Sequence, residues 1–328
     1  MRIKATVFAA SAISVCAFTS VWSQALIPQR SAAPPPAKAA APTPAPAPAP
    51  TTATAPAPTP APAAIKANCA NPNAIGVSRV VQIDTTGGPC FGFEHFKQLD
   101  FLRDKEVVLT FDDGPWPVNT PSVLKTLADE CTKAIFFPIG KHATYYPEIL
   151  KHVAADGHTI GAHTWSHANL NNKKLTDDQC KDEIEKGFSA VKWALGAAPS
   201  PLFRFPALQH PPTMVTYLGE RNISMWSCDL DSFDFKARTA QKVVDTVMSK
   251  LDKNGKGIIL MHDFQKHTAE ALPEIMKRLK AGGYKVVQVK AKAPMQTIAK
   301  YDEELVKDVK LPTVSARPVN SVVQTISE

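Results

Sequence analysis

Short apolar runs rich in β-branched and aromatic residues alternate along the chain with segments that have helical spacing. Residues 107–111 form one such run and are followed by Asp-Asp-Gly-Pro, which predicts a buried strand with polar groups at its C-terminal end. Residues 119–131 then place Val123, Leu124 and Leu127 on one helical face, and residues 134–139 predict the next strand. Residues 107–139 therefore predict a strand–helix–strand unit.

The same alternation continues through the body of the chain. Residues 176–195 predict a long amphipathic helix, with Thr176 as the N-cap and two aspartates in the first turn. Further helices are predicted at 147–155, 239–251 and 269–280, and further strands at 158–162, 202–205, 223–228, 258–261 and 286–289. This order predicts an α/β fold with parallel strands wrapped by helices. Both a barrel and a doubly wound open sheet fit this order. Neither of the common glycine-rich nucleotide-binding motifs follows the first strand, so no nucleotide cofactor is expected.

The first 64 residues predict export and a linker. Arg2 and Lys4 precede an apolar run that ends near Ser23-Gln24-Ala25, a spacing of small residues that signal peptidases accept. Residues 1–25 are therefore predicted to be a cleaved signal peptide, with an uncleaved anchor helix as the alternative. Residues 26–64 are predicted to be an Ala/Pro-rich linker, because 12 of the 29 prolines lie between Pro34 and Pro62 and favour extended polyproline conformations. The expected location is the periplasm, the cell envelope or the medium.

Composition and charge exclude two classes of protein. The chain is 44% hydrophobic with a mean hydropathy of −0.13, which excludes a multi-pass membrane protein. Its net charge is +7, and residues 1–64 contain four basic residues but no aspartate or glutamate. The positive and negative charges of the remaining 264 residues are therefore nearly equal in number. No nucleic-acid partner is expected. The body contains no second linker, which favours a single domain.

Five cysteines follow the predicted signal, and no two of them form a CxxC pair. Export permits disulfides, and Cys69–Cys90 is the pairing expected first because both residues lie in the irregular N-terminal segment. The odd number leaves at least one thiol free or paired between chains.

Polar side chains gather at the predicted C-terminal ends of the strands. In a parallel α/β fold these ends face one side, where active sites are built. Histidines at i and i+4, here His163 and His167, can hold two positions of a metal, and a nearby carboxylate would complete three ligands with an open position for water. That donor set suits Zn²⁺, with Co²⁺, Ni²⁺ or Fe²⁺ also possible. The strand-end residues are Asp112, Asp113, His163, His167, Arg204, Asp229, Asp231, Asp234, His262 and Asp263.

Five ordered segments at these strand ends resemble the motifs of the polysaccharide deacetylases, the carbohydrate esterase family 4. They are Thr110-Phe111-Asp112-Asp113-Gly114-Pro115, His163-Thr164-Trp165-Ser166-His167, Phe203-Arg204-Phe205-Pro206, Asp231-Ser232-Phe233-Asp234 and Leu260-Met261-His262. The resemblance implies a distorted (β/α) TIM-like barrel in residues 105–290 as the single catalytic domain. Residues 65–104 are then expected to form an N-terminal extension packed on the barrel, and residues 291–328 a C-terminal tail with helical character around 298–306.

The resemblance also implies a metal-dependent removal of N- or O-acetyl groups from a glycan, such as peptidoglycan or a chitin-like oligomer, and a role for each matching residue. Asp112 matches the general base and Arg204 the residue that holds it. His262 matches the general acid, and of the two fourth-motif aspartates Asp234 is favoured over Asp231 as the residue that orients it. The metal-ligand positions fall on Asp113, His163 and His167, and the substrate positions on Leu260, Ala207, Trp116 and Asp231.

Two departures from the family pattern concern the substrate. The third motif usually has an aromatic residue where this chain has Ala207, which removes a wall that would face a sugar, and the fourth motif ends in Phe235 in place of tryptophan. Trp116, Trp165, Phe205 and Phe233 remain candidates for stacking on a pyranose, although core packing explains Phe205 and Phe233 equally well.

Three rival hypotheses remain open on the sequence. One is a metal-dependent C–N hydrolase of a small molecule, which the export signal and linker disfavour. Another is a catalytically silent glycan-binding module with the same fold, and the third is a structural wall protein tethered by the Ala-Pro arm. The presence of base, acid and metal-ligand residues together favours an enzyme.

Overall fold

The computed structural model of the protein describes residues 69–309. The predicted signal peptide and linker, and residues 310–328 of the tail, lie outside this range. Within it the strands are β1 (Arg79–Ile83), β2 (Cys90–Phe91), β3 (Glu106–Asp112), β4 (Ile135–Phe137), β5 (Thr159–Ile160), β6 (Leu202–Phe203), β7 (Ser224–Trp226), β8 (Leu230–Asp231), β9 (Gly257–His262) and β10 (Lys285–Ala291). The helices are α1 (Asn119–Asp129), α2 (Gly140–Tyr145), α3 (Pro147–Ala155), α4 (Asp177–Leu195), α5 (Pro212–Glu220), α6 (Ala240–Asn254), α7 (Lys266–Ala281) and α8 (Ala299–Asp308).

The strands form a parallel α/β arrangement that curves into a distorted barrel. β3 is central and pairs with β4, β9 and β10, while β5 extends from β4 and β8 from β9. A second sheet has the order β2-β7-β6, and a bridge between Ala162 and Phe203 joins it to the end of β5. Among residues 69–309 no strand pairing joins the β2-β7-β6 sheet to β8, so the ring of hydrogen bonds is open between them. The predicted α/β class and distorted barrel are confirmed.

The alternation of side chains along β3 decides which residues reach the site. Val107, Leu109 and Phe111 pack in the core cluster that includes helical residues such as Val123 and Leu124. Val108 belongs instead to the cluster enclosed by the strands, with Ile135 and Ile258. Since successive strand residues point to opposite faces, Thr110 and Asp112 share the inward side with Val108. The strand therefore delivers Asp112 to the top of the barrel interior.

Most predicted elements are present, with boundaries shifted by a few residues. Helix α3 has the predicted bounds, and the N-cap of α4 is Thr176, whose hydroxyl accepts from the Gln179 N–H while the Gln179 side chain accepts from the Thr176 N–H. Five elements were not predicted from the sequence: β1, β2, β8, α2 and α5. No helix among residues 69–309 is long and apolar enough to cross a membrane.

The expected Cys69–Cys90 disulfide is wrong. Cys69 is bonded to Cys131, with their Cα atoms 5.8 Å apart. Cys90 lies in β2, where strand pairing with β7 holds it, and its thiol donates to the carbonyl of Gly88. Cys131 follows the C-terminus of α1, and the disulfide therefore fastens the start of the described chain to that helix. Cys90, Cys180 and Cys228 are free thiols.

Candidate active site

A cleft opens at the C-terminal ends of the barrel strands, with a cavity of about 480 Å³. It brings together most of the residues that the sequence analysis selected from separate strands. Those that line it are Asp112, Asp113, His163, His167, Ala207, Asp231, Leu260 and His262. Arg204 lies beneath them and is fully buried.

Asp112 is held by the buried guanidinium of Arg204. Arg204 Nη1 donates to Asp112 Oδ1 and to Thr110 Oγ1, both at 2.7 Å. The rest of the guanidinium donates to the backbone carbonyls of Trp226 and Ser227 at 3.2 and 2.8 Å. A buried charge is tolerated when its donors are satisfied in this way. Asp112 Oδ2 stays clear of Arg204 and lies 4.0 Å from His163 Nε2.

Asp113, His163 and His167 converge on one point of the cleft. Asp113 Oδ1 lies 3.4 Å from Nε2 of each histidine, and one donor atom from each residue lies within 4.8 Å of the other two. The two histidines occupy a loop after β5, not a helix as their spacing would allow, and their rings lie 5.0 Å apart. Asp113 and His167 both have left-handed backbones, with φ of 73° and 62°. Such strained conformations gather at functional sites.

These three side chains fit a divalent cation. Asp113 Oδ1 is buried and has no hydrogen-bond partner, which is unfavourable for a carboxylate oxygen unless a cation or another donor satisfies it. His163 Nδ1 lies 2.6 Å from the carbonyl oxygen of Arg204, so it carries the proton and leaves the Nε2 lone pair facing Asp113. Burial lowers the pKa of His163 despite the nearby carboxylates, which keeps the ring neutral as a metal ligand requires.

His262 is oriented by Asp234. Its Nδ1 lies 2.6 Å from Asp234 Oδ1, and its backbone N–H donates to Asp234 Oδ2 at 2.7 Å. The hydroxyl of Thr268, at the start of α7, donates to the same carboxylate. Burial lowers the pKa of His262, but the hydrogen bond and charge of Asp234 outweigh it and raise the pKa to about 9. The imidazole is therefore protonated at neutral pH and presents Nε2 to the cleft.

The other fourth-motif aspartate, Asp231, has a different environment. Its Oδ1 accepts from the Phe233 N–H at 2.8 Å, and burial raises its pKa. It lines the cleft without bonding to His262.

A second buried carboxyl, that of Asp263, connects the loop after β3 to the end of β9. It accepts from the Gly114 N–H at 3.1 Å and from the Thr120 hydroxyl at 2.5 Å. A Cβ on Gly114 would lie 2.1 Å from this carboxylate, so only glycine permits the approach. Burial raises the pKa of Asp263 to about 7. The contact fixes the loop after β3 against the end of β9.

Several predicted residues lie elsewhere. Asp229 accepts from the N–H groups of Phe93 and Ile258 and does not line the cleft. Trp116 is 36% exposed and packs on His142 and Tyr146, and neither it nor Trp165 lines the cavity. Phe205 is buried at the wall of the cleft, whereas Phe233 is exposed beneath Lys250.

Some residues that line the cleft were not predicted from the sequence, among them Glu94, His95 and Gln209. Glu94 and His95 come from an irregular segment with no periodicity or motif. Only the three-dimensional path of that segment across the end of β7 reveals them.

Comparison with known proteins supports the resemblance seen in the motifs. A family model described as polysaccharide deacetylase matches residues 101–226. A peptidoglycan-N-acetylglucosamine deacetylase of Bacillus cereus is 32% identical over 195 residues, covering 57% of this chain and 87% of that protein. The peptidoglycan-N-acetylmuramic acid deacetylase PdaC of Bacillus subtilis is 33% identical over 204 residues, covering 57% of this chain and 38% of that protein.

A solved structure gives the same result. A peptidoglycan deacetylase of Bdellovibrio bacteriovorus superposes with a TM-score of 0.60 at 32% identity, covering 66% of this chain and 59% of that one. The matched region spans only 38%, 66% and 43% of the length of three curated relatives. Together with the strand-end site, these matches place the chain in the polysaccharide deacetylase family.

Proposed function

We propose that this chain is a metal-dependent hydrolase that removes N-acetyl or O-acetyl groups from an extracytoplasmic glycan such as peptidoglycan or a chitooligosaccharide. The observation that carries the proposal is the convergence of three units in one cleft. These are the Arg204-bound carboxylate of Asp112, the cluster of Asp113 with two imidazoles, and the Asp234-bound imidazole of His262. The matched relatives are described as deacetylases of peptidoglycan, which supports the substrate class.

Asp113, His163 and His167 would hold the metal ion. Two imidazoles and one carboxylate match Zn²⁺ best, and Co²⁺, Ni²⁺ or Fe²⁺ also accept this set. When bound, such an ion polarises the acetyl carbonyl and makes a water molecule more acidic.

Asp112 acts as the general base. Its Oδ1 is fixed by Arg204, so Oδ2, on the side of His163, accepts the proton of the water that attacks the acetyl carbon. The charge of the guanidinium pairs with this carboxylate at 2.7 Å and holds it in the cleft. Arg204 therefore acts through Asp112 and does not need to touch the substrate.

His262 acts as the general acid. An amine is a poor leaving group as an anion, so a proton must reach the nitrogen as the C–N bond breaks. His262 Nε2 delivers it, while Asp234 holds the Nδ1–H and stabilises the imidazolium. The products are acetate and the free amine of the sugar. For an O-acetyl group the same proton goes to the leaving oxygen.

Leu260, Ala207 and Asp231 would shape the substrate pocket, and Trp116 lies outside it. Leu260 is 4% exposed in the cleft wall and offers an apolar surface for the acetyl methyl group. Ala207 has a left-handed backbone, with φ of 52°, and presents only a methyl group to the cleft. Asp231 can accept hydrogen bonds from sugar hydroxyls, and Trp116 can stack on a sugar beyond the cavity.

The domain plan and the location belong to the same proposal. Residues 105–290 would be the catalytic domain, with 65–104 as an extension and 291–328 as a tail. The charged start, apolar run and small residues of 1–25 support export, and the prolines of 26–64 support a spacer that holds the enzyme away from a membrane or wall.

Acetate release by the purified chain tests the proposal. Acetylated chitooligosaccharide, peptidoglycan and acetylated xylan are offered with added Zn²⁺ or Co²⁺. Release from at least one glycan, abolished by a chelator and restored by the metal, is expected. Tight metal binding without acetate release from any acetylated glycan would favour a silent glycan-binding module instead.

A further inference from the structure

One wall of the cleft is built by residues 92–96, which precede the first residue matched by the family model, residue 101. We call this segment the N-terminal wall. Its Glu94 and His95 line the same cavity as Asp112 and His262. None of the five motifs includes either residue.

The N-terminal wall is fastened to the chain that follows β7. The Glu94 N–H donates to the Cys228 carbonyl at 3.0 Å, and the Cys228 thiol donates to Glu94 Oε2 at 3.2 Å. His95 Nδ1 lies 2.8 Å from the hydroxyl of Ser227. Gly92 has φ of 100°, and a Cβ there would lie 2.6 Å from the Cys228 nitrogen. The close approach of the two backbones therefore requires glycine and fixes Glu94 and His95 in place.

Aromatic contacts join the N-terminal wall, through His210, to the residues that follow Ala207 along the chain. The rings of His95 and Phe96 both pack edge-on against the ring of His210, with centroid distances of 4.6 and 4.9 Å. His210 in turn lies 6.1 Å from Phe205. These ring contacts hold the N-terminal wall against the segment that carries Phe205 and His210.

Carboxylates outnumber lysine and arginine side chains in the cleft lining, and the imidazolium of His262 is already paired with Asp234. Among the described residues that line the cleft, none is a lysine or arginine, while four are carboxylates: Glu94, Asp112, Asp113 and Asp231. Asp112 forms an ion pair with Arg204, and Asp113 belongs to the proposed set of metal ligands. Glu94 has no ion-pair partner in the part of the chain that the structure describes. Apart from the bond that Oε2 accepts from the Cys228 thiol, its carboxylate can therefore meet a charged group on the substrate.

We propose that Glu94 and His95 form a subsite for the sugar next to the reacting one, and that Glu94 selects a sugar with a free, protonated amino group there. The proposal rests on the proposed function, because such an amine is the product that deacetylation leaves on the glycan. A carboxylate and an ammonium group form a charge-assisted hydrogen bond. A sugar bearing a carboxylate would instead be repelled. The enzyme would then work best beside units that are already deacetylated.

The test uses two probes that carry no acetyl group, so turnover plays no part. One is the β-1,4-linked glucosamine tetramer, and the other is cellotetraose, which has the same backbone with hydroxyls in place of amines. Calorimetric titration of the full chain is expected to show about fivefold tighter binding of the glucosamine tetramer, a size typical of a partly exposed ion pair. The preference should shrink as salt is raised.

Matched variants assign the preference to one carboxylate. Glu94→Gln keeps the shape of the side chain and should bring the two dissociation constants together, and Glu94→Ala should do the same. Glu148→Gln, which removes an exposed carboxylate on α3, should keep the wild-type preference. The proposal is overturned if the wild type does not prefer the amine, if neither probe binds, or if Asp231→Asn rather than Glu94→Gln removes the preference.

Kinetic measurements test the subsite independently of the proposed reaction. The wild type should show a lower KM, with little change in kcat, for half-deacetylated than for fully acetylated chitooligosaccharide, and Glu94→Gln should remove that difference. An amine preference that depends on Glu94, without acetate release from any glycan, would support the subsite and contradict the proposed function. Acetate release with equal KM values in wild type and Glu94→Gln would contradict the subsite alone.

Discussion

At the scale of single residues, Arg204 connects the stability of the barrel to its chemistry. Its guanidinium is fully buried, lies 4.5 Å from the centre of the Phe137 ring, and donates to two side chains of β3 and to two carbonyls at the end of β7. Removing donors from such a site leaves acceptors without partners in a region that water does not reach. The residue that holds the proposed base is therefore also part of the core.

Replacing Arg204 by lysine tests this double role. One ammonium group cannot reach four acceptors in two directions, so the free energy of unfolding should fall by about 3 kcal/mol and acetate release should be lost. Chemical denaturation and an acetate assay measure the two effects. Arg238→Lys, at an exposed arginine, serves as the control and should change neither. Equal stability of Arg204→Lys and wild type would show that the hydrogen bonds of Arg204 are not needed.

His158 predicts a loss of stability in acid. It is buried, and its Nδ1 accepts from the Ala134 N–H at 3.2 Å, an interaction that only the neutral ring can make. Burial lowers its pKa to about 3, below the value of about 6.5 expected in the unfolded chain. Because the unfolded chain then binds the proton first, this contribution to stability is complete above pH 6.5 and is lost progressively as the pH falls toward 3.

Between pH 7 and pH 5 the wild type should therefore lose about 2 kcal/mol more unfolding free energy than His158→Gln. Urea denaturation at the two pH values measures the difference. His152→Gln, on the exposed face of α3, should behave as the wild type does. An identical pH dependence for His158→Gln and wild type would mean that His158 is not buried as a neutral ring.

At the scale of secondary-structure elements, the entry into α1 is strained. Val118 precedes the helix with φ of 68° and ψ of −54°, and the Asn119 N–H donates to the Pro117 carbonyl at 2.8 Å. This is a γ-turn with a β-branched residue at its centre, a conformation that L-residues with a Cβ rarely adopt. The Val118 side chain is 79% exposed, so packing does not compensate for the strain.

Val118→Gly should raise the free energy of unfolding by about 1 kcal/mol, since relief of the strain exceeds the extra backbone entropy of glycine. Val118→Ala keeps a Cβ at the same position and should leave stability nearly unchanged. Thermal and chemical unfolding of the two variants measure the effect. A destabilised Val118→Gly would show that the turn is not strained.

Local patterns explain which elements the sequence could predict. The apolar run of β3 and the capping box of α4 are signals contained within a few consecutive residues, and both elements were predicted. β8 has only two residues, and β1 is stabilised by pairing with β10, which lies far along the chain. The pairing of β3 with β9, which sets Asp112 beside His262, also joins distant segments. The hydrophobic periodicity of the sequence alone therefore could not distinguish a barrel from an open sheet.

The same limit applies to the site. Motif residues were predicted because each follows a recognisable strand, and the structure brings them into one cleft. Glu94 and His95 carry no local signal, and Asp229 lies at a strand end but bonds to backbone amides instead. Position at a strand end thus selects candidates without fixing where a side chain points.

At the scale of the whole molecule, the Cys69–Cys131 disulfide holds the N-terminal part of the described chain on the barrel. It closes a loop with a sequence separation of 62 residues that includes β1, β2, β3 and the N-terminal wall. Chain-entropy arguments give a stabilisation of about 4 kcal/mol for a loop of this length.

The double variant Cys69→Ser/Cys131→Ser should therefore lower the free energy of unfolding by about 4 kcal/mol. The control is Cys90→Ser, which removes a free thiol and should have a small effect. Denaturation under oxidising and reducing conditions measures both. If reduction destabilises the double variant as much as the wild type, the disulfide is not the source of the stability.

The central claim is that Asp112 accepts a proton in a deacetylation carried out at this cleft. Its most direct test is the rate of acetate release by Asp112→Asn, measured together with the bound metal of the same sample. Loss of a general base should lower kcat by a factor of about 10² to 10⁴ while Asp113, His163 and His167 retain the metal. A rate equal to that of the wild type, with the metal bound and the fold intact, would contradict the account.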